Sequence, residues 1–401
     1  MSTDQPPAAR RTRPRMPRAS DPVGVARRLA NVIREAAPTI ERERRVPLDL
    51  IDQLRDAGLF HMLIPSSLGG AQVDPVVAAQ AVEELAVADA SAAWVVMLAM
   101  QSNAFAGFME ERHALEVWGN GGIIAGTARP IGRAIATSNP EEGYVVSGRW
   151  PFASGSSHAD WFLAECMVYD EDAPRKDAHG NDVSRMLFVP REDVTVHDTW
   201  NTVGLRGTAS NDFSVDGVFV PHGRGLSMMD LHPTQDWALY ATPPIAFVNH
   251  GSHALGVARA ALAAAIELIS TKRGWGDVPL RDVPRMQVIV AEATAEIEAA
   301  RAFLYGAAHE LWDAATSDGA EATARQRSRA RLAASHAMTA SLRTVDLLHR
   351  SLGTTSIVAG STLDRCFRDL HTASAHVMIG PLTYEAAGRV ELGLDAAFPL
   401  F

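Results

Sequence analysis

The sequence predicts an α+β protein in three successive parts: a helical N-terminal segment, a central β segment and a C-terminal helical bundle. Three observations carry this. Helical apolar periodicity runs from Asp21 to about Asn120. Near Gly121 it gives way to short β-branched and aromatic runs punctuated by Gly, Pro and Asp. Beyond His232 long Ala-rich stretches return. The parts are placed at residues 21–120, 121–232 and 233–401, behind an Arg/Pro-rich tail at 1–20.

The composition supports a large core. The chain has 401 residues, 47% of them hydrophobic and 21% charged, a globular balance. Its formal charge of −10 argues against a nucleic-acid binder, which normally shows a basic face. Cys166 and Cys366 are far apart and without metal-ligand spacing, so they are read as buried thiols in a reducing, cytoplasmic setting, with no metal site. No apolar run is expected to reach the ~18 residues that cross a bilayer. The richest, "ASAAWVVMLAM" from Ala90, reads as a buried helix. The tail carries Arg10, Arg11, Arg13, Arg15 and Arg18 among prolines and lacks a secretory apolar stretch, so it is expected to be disordered.

In chain order, "DPVGVARRLANVIREAA" opens with an Asp cap and Pro at the first helical position. "PLDLIDQLRDAGLFHML" repeats apolar residues at helical spacing, and "PSSLGG" is a turn. "DPVVAAQAVEELAVADASAAWVVMLAM" is a long apolar helix interrupted near Asp89. "GGIIAGTARP", "GYVVSGRWPF", "WFLAECMVY", "RMLFVP" and "DFSVDGVFVP" read as strands. Four later stretches, from "SHALGVARAALAAAIELIS" to "STLDRCFRDLHTASAHVMI", read as the helices of an up-down bundle.

Several chemistries lack their motifs. The chain has no phosphate-cradling Gly-rich loop with Lys-Ser/Thr, no Rossmann glycine fingerprint, no paired-histidine zinc helix and no nucleophile elbow. What stands out is "GRWPFASGSSHADW" from Gly148, which mixes aromatics with hydroxyls and suits the wall of a pocket for a flat, partly polar ligand; His158 reads as a strand residue at its end. In "TWNTVGLRGTASNDFSVDGVFVP", glycines with Thr208 and Ser210 allow the backbone close to a ligand, or form a plain irregular hairpin. The last predicted bundle helix carries His371 and His376. Five helical residues turn through roughly 140°, so the two imidazoles cannot share a face. A near-neutral pKa makes such a histidine a natural general base for a phenol, the alternative being a hydrogen-bonded core residue. Arg368–Asp369 reads as a structural pair, and Arg273 as a solvated cation or an anion ligand.

Together these pieces resemble the acyl-CoA dehydrogenase superfamily over residues 21–393. "LGG" at Leu68, "ADASAAW" at Ala88, "VP" at Val220–Pro221, "LG" at Leu352 and "RD" at Arg368 stand in its order. "ARPIGRA…GYVVSGRWPFASGSSHADW", "GLRGTASNDFSVDGVFVP" and "RDLHTASAHV" are similar to motifs of its two-component flavin monooxygenase branch. The departures from the dehydrogenases agree. "TARPIGRA" replaces their Thr-Glu-Pro motif, and His376–Val377 occupy the neighbourhood of their catalytic Glu. No Glu lies between Glu192 and Glu267, and Glu385 comes about two helical turns too late.

The resemblance implies a monooxygenase that hydroxylates a small phenolic or indole-type molecule through a flavin C4a-hydroperoxide formed with molecular oxygen. Reduced FAD, or alternatively reduced FMN, would come from a separate NAD(P)H-flavin reductase. It implies that Trp150, Phe152 and Ser154 line the flavin, with Ser154 near its reactive nitrogen. Gly204, Arg206, Thr208, Ser210 and Arg273 would be further cofactor contacts, and Gly353 and Thr354 would reach a neighbouring subunit's cofactor in a homotetramer. His376 would deprotonate or orient the substrate, with His371 beside it. Relatives carry a histidine after the central helical tryptophan; "MQSNAF" here offers Gln101 or Asn103 instead. Partners on nucleic acid or membranes are not expected. Other readings are a dehydrogenase, an N- or S-oxygenase of the same fold, and a non-catalytic flavin-binding protein.

Overall fold

The computed structural model describes residues 16–139, 141–317 and 321–397. Five helices come first: α1 (Pro22–Glu43), α2 (Leu48–Asp56), α3 (Pro75–Ala88), α4 (Ala90–Asn103) and α5 (Glu111–Trp118). Asp21 caps α1 by accepting from the Gly24 amide, and Asp74 caps α3. Both helices carry Pro in the first turn, where its missing N–H costs no bond. Asp89 is extended (φ −158°); it ends α3 and caps α4 through the Ala92 amide at 2.8 Å. The expected interruption is therefore a cap shared between two helices.

The central strands are β1 (Ile124–Thr137), β2 (Gly143–Ala153), β3 (Trp161–Asp170), β4 (Ala173–Pro174), β5 (Ser184–Pro190), β6 (Thr195–His197), β7 (Asn211–Pro221) and β8 (Gly225–Leu226). They form one mixed sheet in the order β6-β7-β2-β1-β3-β5-β8, with β4 paired to β3 and β1 parallel to β3. Trp150, Phe162, Phe213 and Val189 build a core belonging to this sheet.

The bundle comprises α6 (Val248–Thr271), α7 (Pro284–Thr316), α8 (Ala324–Ser351), α9 (Thr362–Ala373) and α10 (Pro381–Glu391). It shares one apolar core with α1–α5. Helix α6 lies close against α3 because Gly256 has no side chain: a Cβ there would stand 2.3 Å from the Glu83 carbonyl oxygen. Glu83, buried on α3, accepts from Arg259 (2.6 Å), Arg301 (2.9 Å) and the Tyr305 hydroxyl (2.5 Å), tying α3 to α6 and α7.

Two expectations change. Residues Ile245–Thr271 do form a helix long and apolar enough to cross a membrane by length and composition, although Asn249, His250, Ser252 and His253 are among its buried residues. The tail was expected to run to residue 20, yet Met16 and Ala19 are buried and Arg18 donates to the Ser66 and Gly69 carbonyls. Residues 1–15, with Arg10, Arg11, Arg13 and Arg15, lie outside the described residues.

Candidate active site

Where α4, the end of β2, the 203–210 loop, α6 and the α9–α10 connection converge, the indole of Trp94 is ringed by imidazoles. His253 lies 5.1 Å away, His250 5.5 Å and His376 5.6 Å, all edge to face. His250 and His376 stack on one another at 4.6 Å with 29° between their planes.

On the other side of Trp94 runs a chain of hydroxyls whose proton direction follows from the donor inventory. Thr208 has one hydroxyl proton and gives it to the Leu205 carbonyl at 2.9 Å, which can only accept. The 2.6 Å contact between Thr208 and Ser210 therefore uses the proton of Ser210. The 2.7 Å contact between Ser210 and Ser154 then uses the proton of Ser154. The Trp94 indole, a donor only, gives its N–H to Ser154 Oγ at 3.2 Å. Ser154 is left with one unused lone pair and no proton, which makes it an acceptor.

This wall is held in unusual backbone. Phe152 (φ 67°), Leu205 (φ 46°) and Ala209 (φ 45°) are all left-handed without being glycine. Such residues cost on the order of 1 kcal/mol or more and persist only where the surroundings over-determine them. The surroundings here come from α9: Asp369 accepts from the Leu205 amide at 2.6 Å, and Arg368 donates to the Val203 carbonyl at 2.6 Å while pairing with Glu41 and Asp364. Burial, and then the neighbouring Asp89, push the Asp369 carboxyl up to about 7; burial raises Asp89 to about 6.

The imidazoles are neutral. Burial holds His253 and His376 down to about 4, with the Arg331 guanidinium adding to the effect on His376. Burial lowers His250 further, and His376 and Arg331 add to it. Arg331, on α8, lies over the Phe247 ring at 4.4 Å. His376 is not on a helix: α9 ends at Ala373, and His376 caps a short 3-10 turn over Val377–Ile379. Its Nδ1 accepts from the Met378 amide at 3.4 Å, so in the neutral ring the proton sits on Nε2. The expected proton acceptor therefore presents a donor.

Of the other residues singled out in the sequence, Ser154, Thr208 and Ser210 come together as described. Trp150 does not join them. It is fully buried in the sheet core, stacked on Phe213 at 5.0 Å and donating to the Glu165 carbonyl. Strand alternation would give Trp150 and Phe152 one face, but the positive φ at Phe152 and a register shift after Trp150 separate them. Phe152 is 59% exposed and lies edge-on to Trp200.

Gly204 makes its close approach to protein: a Cβ would stand 2.0 Å from the Arg368 carbonyl oxygen. Arg206 is taken up by the Thr202 carbonyl and Glu41. Asn103 is buried and accepts from Trp118 while donating to the Phe60 carbonyl, a structural set that removes it from the substrate side. Gln101 donates to the Ala246 carbonyl at 2.9 Å, just before α6.

His371 is exposed on α9 and paired with Asp346 at 2.9 Å, away from the imidazole cluster. His158 lies in the turn after β2, buried, and not in a strand. Arg273 turns back onto Asp277 in its own loop. That loop adjoins the turn holding Gly353 and Thr354 through a Lys272–Thr355 contact. Trp94, His250, His253 and Arg331 were given no role from the sequence. The signal was there in "NHGSH", two histidines three apart among small residues at the start of a helix.

Family models for the acyl-CoA dehydrogenase N-terminal and C-terminal domains match residues 24–111 and 248–381. The chain is 32% identical to the flavin-dependent monooxygenase oxygenase subunit HsaA of Rhodococcus jostii, over 91% of this chain and 97% of that one. It is 30% identical to the indole-3-acetate monooxygenase of Pseudomonas putida, over 88% and 89%. Among solved structures, XiaF from Streptomyces sp. in complex with FADH2 and glycerol aligns with a TM-score of 0.85 at 26% identity, over 95% and 97% of the chains.

Proposed function

The chain belongs to the acyl-CoA dehydrogenase family, and from that membership we propose that it is the oxygenase component of a two-component, reduced-flavin-dependent monooxygenase hydroxylating a phenolic or indole-type ring. Its similarity to a flavin-dependent oxygenase subunit and to an indole-3-acetate monooxygenase supports the reaction class and a separate NAD(P)H-flavin reductase. The FADH2 complex of a structural neighbour supports reduced FAD, with reduced FMN the alternative.

The observation that carries the reading is the make-up of the pocket. The groups in contact with Trp94 are imidazoles and the Ser154 hydroxyl, with the Arg331 charge reaching His250 and His376. The neighbouring carboxyls of Asp89 and Asp369 are engaged by the Ala92 and Leu205 amides. Removing an α-proton from an acyl chain calls for a well-placed carboxylate, and Glu385 is exposed on α10. The residues also fit a reduced flavin. Ser154 offers an acceptor, which matches the N5–H that only the reduced ring carries, and Phe152 offers an exposed aromatic face. When bound, the flavin supplies activation of molecular oxygen.

This chain's own residues would do the rest. Thr208 and Ser210 fix the proton of Ser154, and α9 fixes the loop that holds them. His376 would donate from Nε2 toward a substrate oxygen. The packed rings of Trp94, His250 and His376 keep water from the reacting atoms, which limits loss to hydrogen peroxide. Gly353 and Thr354 would meet the cofactor of a neighbouring copy in a cytoplasmic homotetramer, and Arg273, beside that turn, would be a further cofactor contact.

Product analysis tests this. With a flavin reductase, NADH and FAD, a panel of phenols, indoles and amines should yield hydroxylated phenols or indoles. Oxidation confined to nitrogen or sulfur would move the protein to another chemistry of the fold.

A further inference from the structure

The clearest unmet chemistry in the described structure is His250. It lies in the first turn of α6 and is completely buried, and neither ring nitrogen has a hydrogen-bond partner among the described residues. His253, three residues further along the same helix, shows the structural alternative: its Nε2 is engaged with the Ala90 carbonyl at 2.9 Å. Leaving both nitrogens of a dry imidazole unmade is costly, and a core histidine normally finds at least one partner. The ring itself is held between two others: Trp94 meets it edge to face at 5.5 Å and His376 stacks on it at 4.6 Å.

The two stacked imidazoles are not equivalent. His376 has its lone pair turned to the Met378 amide and presents only Nε2–H. No described contact fixes the tautomer of His250, so it can offer a lone pair. The Arg331 charge reaches both rings, and a nearby cation eases the negative charge that builds on an oxygen or nitrogen as its proton is drawn away.

We propose that His250 is a substrate-binding residue that accepts the hydrogen bond from the ring O–H or N–H, and so selects arenes bearing such a proton over their methylated analogues. The proposal rests on the aromatic-substrate reading above. It assigns acceptance to His250 and donation to His376, the reverse of what the sequence suggested for His376.

The test compares binding of 3-nitrophenol, buffered well below its own pKa so that it keeps its proton, and its methyl ether, 3-nitroanisole, to the full-length protein, followed by absorbance. The two differ by the one proton in question. The wild-type protein should prefer the phenol by about tenfold, the worth of one buried hydrogen bond. His250→Phe, which keeps a planar ring for packing, should erase that preference, and His250→Gln, which restores an acceptor, should recover part of it. His376→Ala should weaken both ligands alike. A His250→Phe protein that keeps the wild-type preference overturns the proposal, as does loss of the preference in His376→Ala alone. A wild-type protein that binds neither ligand overturns the aromatic-substrate reading along with it. A purely structural His250 would weaken both ligands equally and leave their ratio unchanged.

Discussion

Replacing Ser210 with Ala removes the oxygen that holds the Ser154 proton, and that proton then turns toward the pocket. Ser154 becomes a donor, which suits the bare N5 of oxidised flavin better than the N5–H of the reduced form. The ratio of oxidised to reduced flavin Kd should therefore fall by about tenfold, one hydrogen bond's worth. Titrations of each redox state, the reduced one anaerobic, measure it; an unchanged ratio would mean that Ser210 does not orient Ser154. His376→Ala removes a donor on the substrate side. Hydroxylation should drop by about a hundredfold or more with flavin affinity retained, and an unchanged product yield would take His376 out of the reaction. The hydroxyls were readable in the sequence because "SGSS" and "GTAS" are odd company for aromatic strands. The direction of their protons was not, since it depends on the Leu205 carbonyl and on Trp94, a residue sixty positions from Ser154.

Between elements, the contact most exposed to test is Glu83. It is one buried carboxylate joining α3 to α6 and α7. Glu83→Ala leaves Arg259 and Arg301, each about one-third exposed, without that partner and leaves the buried Tyr305 hydroxyl only its longer contact with Ser252, at 3.2 Å. A loss of roughly 2–4 kcal/mol is expected, read as a lower urea midpoint; a midpoint within error of wild type would mean that the cluster adds no stability. The break at Asp89 was legible because Asp is both a helix stop and a cap. The end of α9 was not. Ser374 and Ala375 carry no breaking signal, so His371 and His376 read as one helix when only His371 is helical. Phe152 misled for a related reason, because nothing in the side chain announces a left-handed backbone.

For the molecule as a whole, burial of histidine sets the response to acid. His158, His253 and His376 each titrate near 4 in the folded chain, against an ordinary value of 6.5. Between those limits the unfolded chain binds more protons, so stability falls as pH drops through that window. Asp89 and Asp369 act the other way. Their folded values, about 6 and about 7, exceed the ordinary 3.8, so they erode stability as pH rises from 3.8 up to those values. The two effects oppose each other across that range, and below about pH 6 acid wins because His158, His253 and His376 outnumber the two carboxyls. Urea unfolding at pH 7, 6 and 5 should show the steepest loss in the last step. His158→Phe, whose two ring nitrogens have no described partner, should flatten it; an unchanged slope would remove His158 from the acid response. The overall layout was legible because helical and strand periodicities differ over long stretches. That one core runs through both helical segments was not, since it depends on contacts such as Gly256 against α3.

Isotope labelling decides whether the pocket oxygenates its substrate. The full-length protein, supplied with reduced FAD by a flavin reductase and with a phenol that it binds, is run under 18O2 and the product weighed by mass spectrometry. One atom of 18O in each new hydroxyl is expected. An unlabelled product, together with bleaching of protein-bound oxidised flavin by an acyl-CoA, would contradict the monooxygenase assignment and identify a dehydrogenase.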